Sequence, residues 1–391
     1  MDRRWSFAAD YLKKQEAESR LRTLTGVSCC RKPGRIVVGG RELINLASND
    51  YLGLKSDPRP AAAAAEAASR WGTGAAGSRL ICGNTELHER LESELARFHH
   101  CPAALLFSSG YAAGVGIIPA LVGRRDRVYL DRLCHASLYD GAILSGASLR
   151  RFRHRDTAHL EQLLHKDRDK GGRALVATDS VFSMDGDRAS MGELARICRE
   201  HSALFLADEA HAVGVLGPEG RGLAAEAGLE EDQVLVMGTL GKAFGVAGAY
   251  IAAGSAMREY FVNTCRSFVF STAVPPPVVA AVSAALEIVR TAEDRRKRLA
   301  RLAQRFRAHL KGLGVDTLDS STQIVPALVG EVEKTLELAA KLSSEGIFAP
   351  AIRPPTVPEG SCRIRFSLSA ALNEEDFEHA LEGVSRVLAG G

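Results

Sequence analysis

Lys242 lies in Gly238-Thr239-Leu240-Gly241-Lys242-Ala243-Phe244-Gly245, directly after the apolar run Val234-Leu235-Val236-Met237. A lone amine in a glycine-rich turn at a strand end is the setting of a Schiff-base lysine. A second apolar run, Leu204 to Ala207, opens into Asp208-Glu209-Ala210-His211, so a carboxylate and an imidazole leave another buried strand. An amine that adds to an aldehyde, a carboxylate that keeps a pyridine nitrogen protonated and an imidazole near a phenolic oxygen together point to pyridoxal 5′-phosphate (PLP). His135 is a candidate to stack on the ring, and Gly110, Tyr111 and Thr239 are candidates to hold a phosphate where helices begin. Ser108-Ser109-Gly110 reads equally well as an ordinary strand-to-helix turn. Ser183 starts Ser183-Met184-Asp185-Gly186-Asp187, a turn with Asp-Gly at its tip, and is a further cofactor candidate. Arg363 and Arg365 alternate along one strand and so face the same side, as a bidentate carboxylate site or as an exposed basic edge.

Two nucleotide readings fail on their spacing. Gly72-Thr73-Gly74-Ala75-Ala76-Gly77 matches the dinucleotide fingerprint, but it follows an alanine-rich helical stretch and no βαβ unit surrounds it, so it reads as a flexible turn. Asp208-Glu209-Ala210-His211 also spells a helicase box. That reading requires G-x-x-x-x-G-K-[ST], and here Val236 stands at the first glycine and Ala243 at the hydroxyl position. A nucleotide-driven helicase or binding module is disfavoured accordingly.

The elements that must position these residues recur regularly. Apolar runs at Ala103 to Phe107, Val128 to Leu130, Leu149 to Phe152, Ala174 to Ala177, Leu204 to Ala207, Val234 to Met237 and Ala249 to Ala252 alternate with helical or loop stretches. This is the rhythm of a mostly parallel seven-stranded sheet covered on both faces, whose ligands bind at the strands' carboxyl ends. Residues 4 to 24 repeat with helical period as an N-terminal arm closed by Gly26. Pro275-Pro276-Pro277 precedes a long basic helical stretch from Val278 to Leu310, its arginines read as a solvated face. Strand-like Ile324 to Val329, helical Glu331 to Ser344, extended Ile347 to Thr356, strand-like Arg363 to Ser369 and a helix started by Asn373 follow. The expected division is an arm and helix at 1–50, a large cofactor-binding α/β domain at 51–280 and a small C-terminal α+β domain at 281–391.

With 391 residues, 46% of them hydrophobic, the chain is long enough for two cores. Its 50 basic and 47 acidic residues give a net charge of only +3, which argues against nucleic acid or a membrane surface as partner. Met1-Asp2-Arg3-Arg4-Trp5 leads into a charged stretch without an apolar signal core, and no segment reaches the length of a membrane span, so a cytoplasmic location is expected. Eight cysteines without a C-x-x-C pair, two of them adjacent at Cys29-Cys30, read as reduced thiols; no metal site is expected.

Taken together, Ser48-Asn49-Asp50-Tyr51-Leu52-Gly53-Leu54, Gly74 to Gly83, Asp131 to Ser137, Val181 to Asp187, Asp208 to Gly214, Thr239 to Gly245 and Phe270-Ser271-Thr272 resemble the α-oxoamine synthases over nearly the whole chain. These are fold-type I PLP enzymes that condense an amino acid with an acyl thioester and release carbon dioxide. The resemblance implies that Lys242 binds the cofactor covalently, Asp208 meets its pyridine nitrogen, His211 its ring oxygen and His135 its face. It implies that Gly110, Tyr111, Ser183 and Thr239 hold the cofactor, with Lys242, His135 and Asp208 carrying the chemistry. It makes Arg22, Asn49, His135, Thr356 and Arg365 substrate contacts. It also implies a homodimer with the active site at the subunit interface, Ser271 and Thr272 reaching the neighbour's phosphate. Ala351-Ile352-Arg353-Pro354-Pro355-Thr356-Val357-Pro358 most resembles the biotin-pathway member that joins L-alanine to a pimeloyl thioester, carried on coenzyme A or on an acyl carrier protein. A glycine-using member with a smaller acyl pocket is the alternative within the family.

Overall fold

The structure, a computed structural model, describes residues 3–28, 30 and 32–389. Two compact units divide them: residues 49–183 with 187–298, and residues 1–48 with 184–186 and 299–391.

In the first unit each of the seven apolar runs is a strand: β1 (Ala103–Phe107), β2 (Arg127–Asp131), β3 (Ser148–Phe152), β4 (Ala174–Asp179), β5 (Leu204–Asp208), β6 (Leu235–Thr239) and β7 (Ala249–Ala253). They form one sheet in the order β1-β7-β6-β5-β4-β2-β3. The neighbours from β6 through β5, β4 and β2 to β3 are parallel, whereas β7 runs antiparallel to both β6 and β1. Six strands therefore end at one edge, and β7 begins there. Strands β1, β2 and β7 are buried at every position, as strands covered on both faces must be. Leu130, Leu206 and Met237 retain no exposure, and cutting any of them back to alanine would cost roughly 2–5 kcal/mol.

Two helices that start at the carboxyl edge pack closely on one another. Helix Gly110–Leu121 follows β1 and helix Ala136–Ser145 follows β2. A Cβ on Gly114 would stand 2.6 Å from Ser137 Oγ, and one on Gly141 would stand 2.6 Å from the Gly114 carbonyl. The two glycines thus permit a backbone approach that fixes where both helices begin.

The second unit holds a four-stranded sheet of Val27–Ser28, Arg35–Val38, Arg41–Asn45 and Ile347–Phe348. It also holds a three-stranded sheet in which Cys362–Ser367 lies between Ile324–Gly330 and Ala351–Ile352. Helices Val332–Ser344 and Glu374–Leu388 accompany them, the latter started by Asn373, whose Oδ1 accepts the Asp376 N–H at 2.7 Å.

Several sequence expectations are corrected. The N-terminal helix is Ser6–Ala17 rather than a periodic segment to residue 24, and it buries none of its residues, so no core holds its later turns in place. Met1, Asp2, Cys29, Arg31, Gly390 and Gly391 lie outside the described residues. The stretch Val278 to Leu310 is two helices, Pro276–Arg290 and Glu293–Gly312. The first packs on helix Pro58–Trp71 and so belongs with the large sheet; the unit boundary falls at Arg298/Leu299, inside the second. Its arginines are not all solvated. Arg296 is buried and donates to the Val289 carbonyl at 2.7 Å, and Arg295 donates to the Leu52 carbonyl and to Asp57. The exposed basic edge proposed for Arg363 and Arg365 is overturned too: their strand is the middle one of three, and both are buried.

Candidate active site

The carboxyl edge of the large sheet carries a cavity of about 410 Å³. Its lining comes from the ends of five strands and the start of a sixth: Ser108 to Tyr111 after β1, His135 after β2, Asp179 and Val181 at β4, Asp208, Ala210 and His211 at β5, Thr239, Gly241 and Lys242 at β6, and Val246 to Gly248 before β7. Asn49 completes it. Of the residues expected from the sequence, Asn49, Gly110, Tyr111, His135, Asp208, His211, Thr239 and Lys242 come together here.

Each is held by its element. Leu240 N–H donates to the Gly248 carbonyl at 2.9 Å and Val246 N–H to the Leu240 carbonyl at 3.0 Å, closing the lysine loop between β6 and β7. Gly245, at φ +69°, lets that loop pass the Leu54–Lys55 backbone, where a Cβ would stand 2.4 Å from the Lys55 nitrogen. The part-buried Lys242 Nζ is 2.9 Å from His211 Nε2. Ser109 caps helix Gly110–Leu121 by accepting the Ala112 N–H at 3.1 Å. At Gly110 a Cβ would meet Thr239 Cγ2 at 2.7 Å, so glycine lets the helix start lie against the end of β6. Tyr111, 51% exposed, donates its hydroxyl proton to Asp140 at 2.5 Å. His135 is solvent-accessible and is the N-cap of the next helix; its own N–H donates to Asp179 Oδ1 at 3.0 Å.

Asp179 and Asp208 are register partners on adjacent parallel strands, and both are almost fully buried. Burial pushes the Asp208 carboxyl above the ordinary carboxylate value, while Lys242 and His135 pull it back. Burial and then the neighbouring Asp208 push Asp179 well above that value. Next along the chain, burial raises Glu209 to about 7, although Ser180, Leu223 and Ala224 all donate to it.

A PLP ring fits this donor set. A buried carboxylate whose charge is penalised gains from a protonated ring nitrogen beside it. The N–H groups at the start of helix Gly110–Leu121 suit a phosphate, and a part-buried amine suits an aldehyde.

The other expected residues do not line the cavity. Ser183 begins the turn closed by Phe182 N–H donating to the Asp187 carbonyl at 3.1 Å, two residues past the lining Val181. Ser271 and Thr272 lie on the segment that bridges Ser78 through Thr272. Arg22, Thr356 and Arg365 belong to the second unit. There Arg22 donates to Thr356 Oγ1 at 2.9 Å, Arg20 is paired with Glu18 and Glu359, and Arg353 donates to the Leu21 carbonyl.

The family profile described as aminotransferase class I and II matches residues 41–384. The chain belongs to this family. A protein of Geobacter sulfurreducens named 8-amino-7-oxononanoate synthase is 49% identical over 378 residues, 96% of this chain and 95% of that one. Among solved structures, a serine palmitoyltransferase from S. paucimobilis with bound PLP–myriocin superposes with a TM-score of 0.93 at 29% identity, covering 99% of both chains. An 8-amino-7-oxononanoate synthase from Francisella tularensis gives 0.76 at 28% identity, covering 88% of this chain and 97% of that one.

Within the family frame, sequence reasoning passed over Asp179 and Tyr51. Asp179 ends the run Ala174 to Ala177 as Asp208 ends its own, and that shared position was the available signal. Tyr51 offers no local signal, because its partner His211 lies 160 residues away.

Proposed function

We propose that this chain catalyses the PLP-dependent, decarboxylative condensation of L-alanine with a pimeloyl thioester, the 8-amino-7-oxononanoate synthase reaction of biotin biosynthesis. The observation that carries the reading is the convergence of Lys242, Asp208, His211 and His135 on one cavity, in a chain 49% identical to a synthase of that name. Bound in the cavity, PLP supplies an electron sink for the pair left at the amino acid's α-carbon. Lys242 holds the cofactor at rest and, once the amino acid displaces it, its amine moves the α-proton. Asp208 holds a proton on the ring nitrogen, which deepens the sink. His211 donates to the ring oxygen, and His135 lies against the ring face and the substrate. Gly110, Tyr111 and Thr239 fix the phosphate, with Ser183 as a further contact. The new carbon–carbon bond forms as the thiol leaves, and loss of carbon dioxide gives the product.

In the same reading Arg22, Asn49, Thr356 and Arg365 bind substrate; the hydrogen bond between Arg22 and Thr356 supports Arg22 over Arg20. The enzyme works as a cytoplasmic homodimer, Ser271 and Thr272 reaching the neighbour's phosphate. Among the described residues no helix is long and apolar enough to cross a membrane. Exposed Phe270 (71%), Leu80 (51%) and Ile81 (83%) lie on two segments joined by the Ser78–Thr272 bridge, as an interface would require.

Mass spectrometry of the product from purified enzyme, L-alanine and pimeloyl thioester tests the reaction. Turnover with glycine and an acetyl thioester in its place would favour a 2-amino-3-ketobutyrate ligase instead. Lys242→Ala should abolish both turnover and borohydride-trapped cofactor, and a fully active variant would sink the lysine assignment.

A further inference from the structure

A second cavity, of about 400 Å³, opens at the amino edge of the large sheet, within the roughly 300–1,000 Å³ typical of small-molecule sites. It lies between the residues that precede β1, the segment that leads from β5 into β6, and the end of β7. Strands of five residues, on the order of 15 Å, separate it from the active site at the opposite edge. None of its residues takes part in the reaction proposed above.

Val234, Val236 and Ala252 are buried and give the cavity an apolar floor. Part-buried Arg221 adds a fixed positive charge. Among the described residues its guanidinium has no ion pair, and its buried Nε has no hydrogen-bond partner. His99 adds no charge, because burial, and then the nearby Arg221, hold its imidazole down to about 3; its Nε2 lies 2.7 Å from the Tyr250 hydroxyl. Exposed Glu230 and Glu231 bring negative charge to the outer lining. The backbone that carries Arg221 is fixed in place. Gly222, at φ +99°, passes the buried Glu209 carboxylate, where a Cβ would stand 2.6 Å from Oε2, and Glu209 accepts the Leu223 and Ala224 N–H groups at 3.0 and 2.6 Å.

A part-buried guanidinium without a counter-ion is best matched by a planar carboxylate, which meets its fork with two hydrogen bonds. A phosphate, with its second negative charge, is opposed by Glu230 and Glu231. We propose that this cavity is a second ligand site for a short-chain carboxylate with a cationic far end: the carboxylate on Arg221, the stem on Val234, Val236 and Ala252, and the cation beside Glu230 and Glu231.

Calorimetric titration of the PLP-loaded enzyme tests this with the trimethylammonium derivative of ε-aminocaproate, a betaine that cannot form an imine, alongside caproate and inorganic phosphate. The betaine should bind without changing the cofactor absorbance, caproate about threefold more weakly, the scale of an exposed ion pair, and phosphate not at all. Arg221→Gln should weaken the betaine about ten- to a hundredfold, the scale of hydrogen bonds to a charged group, while kcat stays as it was. Glu230→Gln combined with Glu231→Gln should erase the preference for the betaine over caproate. No binding of the betaine, phosphate binding as tightly, a preference that survives both glutamate changes, or an affinity indifferent to Arg221→Gln would each overturn the proposal. A shift of the cofactor absorbance on adding the betaine would put it in the active-site cavity and overturn the proposal as well. Should Arg221→Gln not fold, Ala225→Phe fills the cavity from its part-exposed wall and has to abolish binding. A betaine that still binds this variant overturns the second site.

Discussion

Asp208 and Asp179 are buried carboxyls side by side on neighbouring strands, and only one is needed to hold a ring nitrogen. Asp208 feels Lys242 and His135, which favour its charged form; Asp179 feels Asp208, which opposes its own. Burial raises both carboxyls, and Asp179 further because Asp208 stands beside it. Asp208→Ala should lower kcat about 10²- to 10³-fold, the scale of a lost electrostatic partner, as read by steady-state kinetics. A variant with near-normal turnover would remove Asp208 from the chemistry. Lys242, Asp208 and His211 were legible in the sequence because each follows an apolar run and stands beside glycine or alanine. Asp179 was not, because its meaning depends on β4 lying next to β5, which no local pattern states. The contact of Tyr51 with His211 was hidden for the same reason, since it crosses the fold.

At the scale of elements, the cavity depends on how closely helix starts approach strand ends. Gly110→Ala would place a methyl 2.7 Å from Thr239 Cγ2 and push the helix start away from β6. The expected result is a loss of about tenfold in PLP affinity, about 1.4 kcal/mol, in an absorbance titration. An unchanged affinity would show that the helix start is not where the phosphate sits. Behind the site, His154 Nδ1 and Nε2 lie 2.9 Å from Asp131 and 2.8 Å from Asp187, tying the end of β2 to the turn that follows β4. Burial opposes the imidazolium, but the hydrogen bonds to both carboxylates outweigh it and raise His154 to about 9 from 6.5. Because the folded value lies above the unfolded one, the stabilisation is whole below about pH 6.5 and fades as pH rises through about 9. It amounts to roughly 3 kcal/mol at most. Urea midpoints of wild type and His154→Gln should therefore differ most near pH 6 and converge near pH 10; a constant gap would contradict the clamp. Six of the seven strands were legible because burial on both faces writes them around apolar runs; the edge strand β3 carries Arg150 and Arg151 and is buried only at Phe152. The break at Thr291 and Ala292 between two helices was not, since both sides keep helical composition.

For the whole molecule, near-balanced charge and exposed Phe270, Leu80 and Ile81 favour self-association over a polyanionic partner. Ile81→Glu should give monomers in sedimentation velocity and lower cofactor retention, and a stable, fully loaded dimer would place the interface elsewhere. The two units were only partly legible, because the N-terminal residues join a sheet completed by Ile347–Phe348, a pairing of the chain's two ends that spacing alone does not reveal. The reversed direction of β7 has a mechanical meaning for the lysine loop. Most site loops lead into a helix and are supported like a cantilever at the strand end, whereas Leu240 to Gly248 spans two adjacent strands like a beam fixed at both ends. Lengthening it by one residue would shift the register of β7 against β1 as well as β6. A change of length is thus absorbed more easily by the cantilevered loops, and the lysine span is the part of the edge least free to change.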